Sequence, residues 1–164
     1  RHGASPGDEV WVSGALGGPA AGFSMVAPAN RALRRPAPPI GLGQALAVSG
    51  CVSAMMDLSD GLRQDLARLC KSSQVGAVIA SDKLPPHPDV DGRDDALSMM
   101  TAFGEEYDLL FTATAGSAEV IQAAAAPFDR DPVCIGRIVG SAEDGARLEG
   151  LSWPKPRFSH FGDA

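Results

Sequence analysis

The sequence predicts an α/β fold, of the mixed kind that shades into α+β: a mixed sheet covered by helices in α/β/α layers. Three observations lead there. Short apolar runs of strand length alternate along the chain with stretches of helical period. Turn residues punctuate them, with 19 Gly and 13 Pro in 164 residues. Apolar residues make up 45% and charged residues 21%, the balance of a globular chain rather than a disordered one. That length suits a single domain with a real core.

The elements follow in order. Glu9 to Ser13 alternates in the strand manner and stops at Gly14. Gly17-Gly18-Pro19 then opens an Ala-rich helical stretch to about Leu33, with Pro near its first turn and Pro28 as an interruption. Arg34 to Pro39 is a stiff connector, and Ile40 to Val48 a short helix weakened by Gly41 and Gly43. Val52 to Leu58 is an apolar run ending in Asp57-Leu58-Ser59-Asp60-Gly61. Behind it Leu62, Leu66, Leu69 and Cys70 fall on one face of a helix. Gly76 to Ala80 reads as a buried strand, Leu84 to Pro88 as a loop, and Asp94 to Ala102 as a short helix. Tyr107 to Thr114 is a strand, Ser117 to Ala126 a helix, and Val133 to Val139 a strand. Asp144-Gly145 is a hairpin signal leading to a last strand around Arg147-Leu148. There is no internal repeat.

Charge and composition exclude several roles. The 14 Lys and Arg stand against 20 Asp and Glu, a net charge of −6. No positive surplus exists to displace counterions from a phosphate backbone, so nucleic acid is not an expected partner. No run approaches the roughly 20 apolar residues of a membrane helix. The first residues lack the apolar core of a secretory signal. Cys51, Cys70 and Cys134 are odd in number and widely spaced, which suits reduced core thiols and a cytoplasmic location. The chain lacks a starting Met and opens directly into a turn and strand, as part of a longer protein would.

The sharpest motif is Asp57-Leu58-Ser59-Asp60-Gly61-Leu62, where a strand ends and an amphipathic helix begins. Backbone N–H groups at that helix start are expected to be free for an anion. Asp57 and Asp60 in the same turn suit Mg²⁺ held against phosphate oxygens, because hard cations take oxygen ligands. The alternative is that Ser59 or Asp57 caps the helix and Asp60 complements its dipole. Gly104-Glu105-Glu106-Tyr107-Asp108 gathers acids at a helix-to-strand junction, either to meet a cationic substrate or as a solvated loop. Gly14-Ala15-Leu16-Gly17-Gly18 matches no phosphate-loop pattern and reads as a tight strand-to-helix turn. His2, His87 and His160 share no zinc-ligand spacing. Arg1 and Arg34-Arg35 are isolated basic spots, suited to a phosphate or merely solvated. The Trp153 to Phe161 tail concentrates aromatics, for packing or for stacking on a ligand.

Taken together these segments resemble thiamine-monophosphate kinase. The resemblance rests on Arg1, Gly3-Ala4, Gly7-Asp8, Val10, Val12 and Gly14, then Leu16-Gly17 and Ala20-Ala21-Gly22, then Asp57 to Leu62. It continues through Leu84-Pro85, Gly104 to Leu109, Ile135-Gly136 and Phe158-Ser159-His160-Phe161, in order and over nearly the whole chain. Glu106 stands where the family usually has Asp, and Phe158 where it often has Tyr or Trp. The resemblance implies a C-terminal domain, residues 1–164, of the aminoimidazole-ribonucleotide synthetase-like superfamily, with the N-terminal ATP- and Mg-binding half lying elsewhere. It implies ATP as phosphoryl donor, Mg²⁺ as cofactor, thiamine monophosphate as acceptor and a homodimer in the full-length protein. Residue by residue, it implies Asp57 and Asp60 as metal ligands, Arg1 and Ser59 as ATP contacts, and Glu105 and Phe158 as substrate contacts. Another ATP-dependent enzyme of the superfamily, or a non-catalytic binding module, remains the alternative.

Overall fold

Strand β1 (Glu9–Val12) lies inside the sheet because Val10, Trp11 and Val12 are all buried and neither of its faces can meet water. The computed structural model describes residues 1–23, 35–140 and 145–155. Its other strands are β2 (Val52–Asp57), β3 (Gly76–Ile79), β4 (Leu109–Ala113), β5 (Val133–Val139) and β6 (Ala146–Leu148). Among the described residues they form one six-stranded mixed sheet in the order β2-β4-β1-β5-β3-β6. Pairing is antiparallel throughout except for β3 with β6, which is parallel.

Among the described residues five α-helices cover the sheet: α1 (Gly18–Phe23), α2 (Ile40–Val48), α3 (Leu62–Ser73), α4 (Ala96–Thr101) and α5 (Ala118–Ala125). Strand alternation divides the apolar side chains into two cores. Val10, Val12, Ala54 and Met56 face Leu62, Leu66, Leu69 and Met99, the layer of α3 and α4. Trp11 and Phe111 stack with ring centroids 6.2 Å apart on the other face, beneath Leu42 and Leu46 of α2 and Ile121 and Ala125 of α5. The α/β/α layering is therefore as expected.

Most element boundaries fall within about two residues of the expected ones, the ordinary ambiguity of a fraying end. The hairpin expectation is corrected. β6 does not pair with β5 but lies parallel to β3, with Ala77 opposite Ala146 and Ile79 opposite Leu148. The reason is occupancy: β1 and β3 already flank β5, so the returning chain takes the free edge of β3. Of the Ala-rich helix, Gly18–Phe23 is seen, and the stretch through Pro28 to Arg34 lies outside the described residues. No helix among the described residues is long and apolar enough to cross a membrane.

This topology gathers the motif-bearing loops at one end of the sheet. Val12 stands opposite Leu110 and Val133, and Asp57 opposite Leu109, so the loops after β1 and β2 and before β4 and β5 share that end. The Leu84–Pro88 loop joins them: Leu16 N–H donates to the Pro85 carbonyl and His87 N–H to the Leu16 carbonyl, each at 2.8 Å.

Candidate functional site

Two chain segments form the centre of this cluster, the Asp57–Gly61 turn and the Gly104–Asp108 loop. The β2–β4 ladder continues past both strands: Leu58 N–H donates to the Asp108 carbonyl and Tyr107 N–H to the Leu58 carbonyl, both at 2.8 Å. Glu105 N–H then donates to the Ser59 carbonyl at 2.9 Å. The two motifs singled out in the sequence are thus zipped together. To run so close, Glu105 and Tyr107 take left-handed φ of 68° and 55°, sparsely populated for residues with a side chain. Gly104 is required, because a Cβ there would enter the Ser59 carbonyl. Gly61, at φ 105°, likewise faces the Phe103 carbonyl, 2.8 Å from where a Cβ would stand.

The expectation of free backbone N–H groups at the start of α3 is corrected for the N-cap Gly61 and the two residues before it. The side chain of Asp65, fully buried in the first turn of α3, turns back and fills that cradle. Its Oδ2 accepts from the N–H groups of Ser59, Asp60 and Gly61 at 3.0, 2.9 and 3.2 Å. The expected capping by Ser59 or Asp57 is corrected too, since Gly61 is the N-cap and no side chain caps it. The other oxygen of Asp65 accepts from Arg68 Nη1 at 2.8 Å, and the same Nη1 is paired with Asp60. Burial pushes the Asp65 carboxyl up, and the amide bonds and the Arg68 charge offset part of that rise. One signal for Asp65 existed in the sequence. It sits with Leu62, Leu66 and Leu69 at i, i+3, i+4 and i+7, an acid on the stripe that faces the core.

On the outward side of the turn the acids converge. Tyr107 Oη donates to Glu105 Oε2 at 3.1 Å. That bond raises the phenol's pKa first, then the charge of Glu105, with smaller contributions from the charges of Asp57 and Asp60. Tyr107, absent from the candidates read in the sequence, is therefore bonded to Glu105 and feels the charges of Asp57 and Asp60. The donor set is oxygen only, which fits Mg²⁺ rather than a soft metal. Among the described residues no three His, Cys, Asp or Glu side chains approach closely enough to enclose a metal ion by themselves. Asp57 and Asp60 thus suit a Mg²⁺ that takes its remaining ligands from water and phosphate oxygens, its usual habit.

Behind the loop the acids play other parts, so the whole segment is not a solvated one. Glu106 Oε1 accepts the Gly17 N–H at 2.6 Å, and Gly17 holds φ 93°. Burial pushes the Glu106 carboxyl up to about 8, a rise that Asp108's charge adds to and the Gly17 bond opposes. Asp108 Oδ1 accepts from Ser13 Oγ at 2.9 Å and from Arg130 Nε at 2.8 Å. Glu106, Asp108 and Arg130, with Gly14, His87 and Phe128, line a cleft of about 620 Å³.

The remaining candidates separate from this cluster. Ala4 N–H donates to Ser73 Oγ at 3.3 Å, which ties the chain start to the last residue of α3. Arg1 is exposed, three residues before that contact, and no hydrogen bond joins it to the Asp57–Gly61 turn among the described residues. Phe158 and the aromatics after it lie outside the described residues. Trp153 Nε1 donates to the Ala146 carbonyl at 2.6 Å, so that ring serves packing. Arg63 Nη1 donates to the Pro154 carbonyl at 3.0 Å, which brings the tail beside the first turn of α3.

Similar proteins share this architecture. Residues 5–149 match the family described as AIR synthase related protein, C-terminal domain. The thiamine-monophosphate kinase of Salmonella typhimurium is 34% identical over 171 residues, covering 93% of this chain and 49% of that protein. The crystal structure of thiamine-monophosphate kinase from Stenotrophomonas maltophilia K279a superposes with a TM-score of 0.83 at 30% identity, over 92% of this chain and 52% of the other. A structure described as AaThiL complexed with AMPPCP and TMP gives a TM-score of 0.75 at 29% identity, over 98% of this chain and 53% of the other. The chain spans about half the length of the relatives it matches.

Proposed function

The chain belongs to the AIR synthase related proteins as their C-terminal domain, and from that premise we propose that it is the C-terminal half of a thiamine-monophosphate kinase. The carrying observation is the junction of the Asp57–Gly61 turn with the Glu105 loop, which sets metal-type carboxylates beside an exposed acid suited to a cationic ring. The similarity to thiamine-monophosphate kinases, one with bound AMPPCP and TMP among the similar structures, supports the reading. In this reading ATP gives its γ-phosphoryl group to the phosphate of thiamine monophosphate, and the product is thiamine diphosphate.

The acceptor is already an anionic oxygen, so no general base is needed. The obstacle is repulsion between two polyanions, and catalysis rests on positioning. Bound Mg²⁺ would neutralise charge on the phosphate oxygens. Asp57 and Asp60 would hold it at the end of β2, and Ser59 would offer a hydroxyl to ATP in the same turn. Glu105 meets the cationic thiazolium or aminopyrimidine, and Phe158 stacks on a ring. Arg1 is the second ATP contact of this reading. The protein is cytoplasmic and works as a homodimer, with the rest of the metal cage in an N-terminal half.

The test uses the full-length protein. Asp57→Asn should cut thiamine diphosphate formation by at least about 100-fold, the upper end for a metal-site carboxylate, while the melting curve stays cooperative. Near-normal turnover would sink the assignment. The isolated chain of 164 residues should form no thiamine diphosphate, and measurable product from it would refute the half-enzyme reading.

A further inference from the structure

The turn that carries Asp57 and Asp60 is held by a buried side chain of the helix that follows it. Asp65 is wholly buried, and one of its oxygens gathers three successive backbone N–H groups. Such a cradle commonly seats a phosphate, but here it is filled from within the chain. Its second oxygen holds Arg68, whose Nη1 also holds the carboxylate of Asp60. Asp65 therefore acts on the turn twice, through the backbone of Ser59, Asp60 and Gly61 and through the side chain of Asp60.

We infer that Asp65 is a positioning residue, an internal anion that presets the backbone of the Asp57–Gly61 turn on which Asp57 and Asp60 would receive a divalent cation. The inference rests on the metal role given to those two residues under the proposed function. The physical case is one of preorganisation. Three donors fixed on one oxygen leave the turn little freedom, so little ordering remains to be done when a cation arrives. A neutral side chain at this position would still fill the space but would present one amide oxygen and lose the charge that holds Arg68.

The experiment is Mn²⁺ binding by the full-length protein in the presence of AMPPCP, read by electron paramagnetic resonance, alongside thiamine diphosphate formation against Mg²⁺ concentration. Asp65→Asn is compared with wild type and with Ile121→Ala, which opens a cavity on the opposite face of the sheet. The inference expects Asp65→Asn to fold cooperatively, to weaken Mn²⁺ binding by about 10-fold or more, and to raise the half-saturating Mg²⁺ concentration in step. Ile121→Ala should lower the melting temperature and leave Mn²⁺ affinity unchanged. Mn²⁺ affinity within about twofold of wild type in folded Asp65→Asn, or an equal loss in both variants, overturns the inference. Should Asp65→Asn fail to fold, Arg68→Gln is read instead, with the same weakening expected and unchanged Mn²⁺ affinity counting against it. Wild type that binds no Mn²⁺ overturns the inference together with the metal site. Wild type that binds Mn²⁺ but forms no thiamine diphosphate refutes the kinase reading alone, and the Mn²⁺ comparison still decides on Asp65.

Discussion

Glu106 accepts the Gly17 N–H at 2.6 Å and so ties the loop before β4 to the turn that opens α1. Burial keeps that carboxyl protonated up to about 8 instead of its usual 4.5. Below about 4.5 folded and unfolded chains both hold the proton, and the contribution is complete. As pH rises toward 8 the unfolded chain releases the proton while the folded chain keeps it, so stability falls. The loss is on the order of 1 kcal/mol per pH unit within that window. Glu106→Gln keeps an acceptor for Gly17 and removes the titration. Urea melts between about pH 5 and about pH 9 should show wild type losing stability relative to the variant. A difference that stays constant with pH would refute the assignment.

Asp108 is held by Ser13 and Arg130, and Arg130 Nη2 also donates to the Ala37 carbonyl at 2.7 Å. Arg130→Ala should therefore cost about 1–3 kcal/mol, since it leaves a half-buried carboxylate short of its cation. Arg130→Lys should restore only part of this, because a single ammonium cannot reproduce the fork. Thermal melts of the two variants provide the comparison, and equal midpoints for Lys and wild type would count against the fork.

Two glycines should respond differently to alanine. Gly104→Ala drives a Cβ into the Ser59 carbonyl and should cost about 3 kcal/mol, the upper end for overpacking. Gly116 has φ 82° with open space around it, so Gly116→Ala should cost about 1 kcal/mol from backbone strain alone. Similar losses for both would contradict the close crossing of the two loops.

The thiols should differ in reactivity. Burial pushes Cys70 up to about 11, whereas Cys51 and Cys134 are only partly buried. A thiol-specific reagent near neutral pH should leave Cys70 unmodified until the chain unfolds. Modification of Cys70 in the native protein, identified by peptide mapping, would contradict its place on the buried face of α3.

The layers and most elements were legible because apolar periodicity reports burial directly, as Leu62, Leu66 and Leu69 illustrate. Strand order was not, because pairing depends on which edges remain free; β6 beside β3 is the example. Asp57, Ser59, Asp60 and Glu105 were legible as motif residues, and the structure joins their two segments. Asp65, Arg68 and Tyr107 were missed because their roles need tertiary contacts across the turn. Asp65 also misled, since a cradle that looks open in sequence is closed by a residue four positions beyond the N-cap.

The strand order has a further consequence, for how the chain acquires its sheet. Among the described residues no strand is hydrogen-bonded to the one before or after it in sequence. No hairpin among these strands can therefore seed the sheet, and β1, the earliest of the six in sequence, must wait for β4, where Glu9 finds Ala113. At ribosomal speeds that wait lasts about 5 s or more. Until then an apolar strand with two open edges stands beside the nascent helices. Folding should accordingly be slow, dominated by non-local closure, and sensitive to chaperones during synthesis.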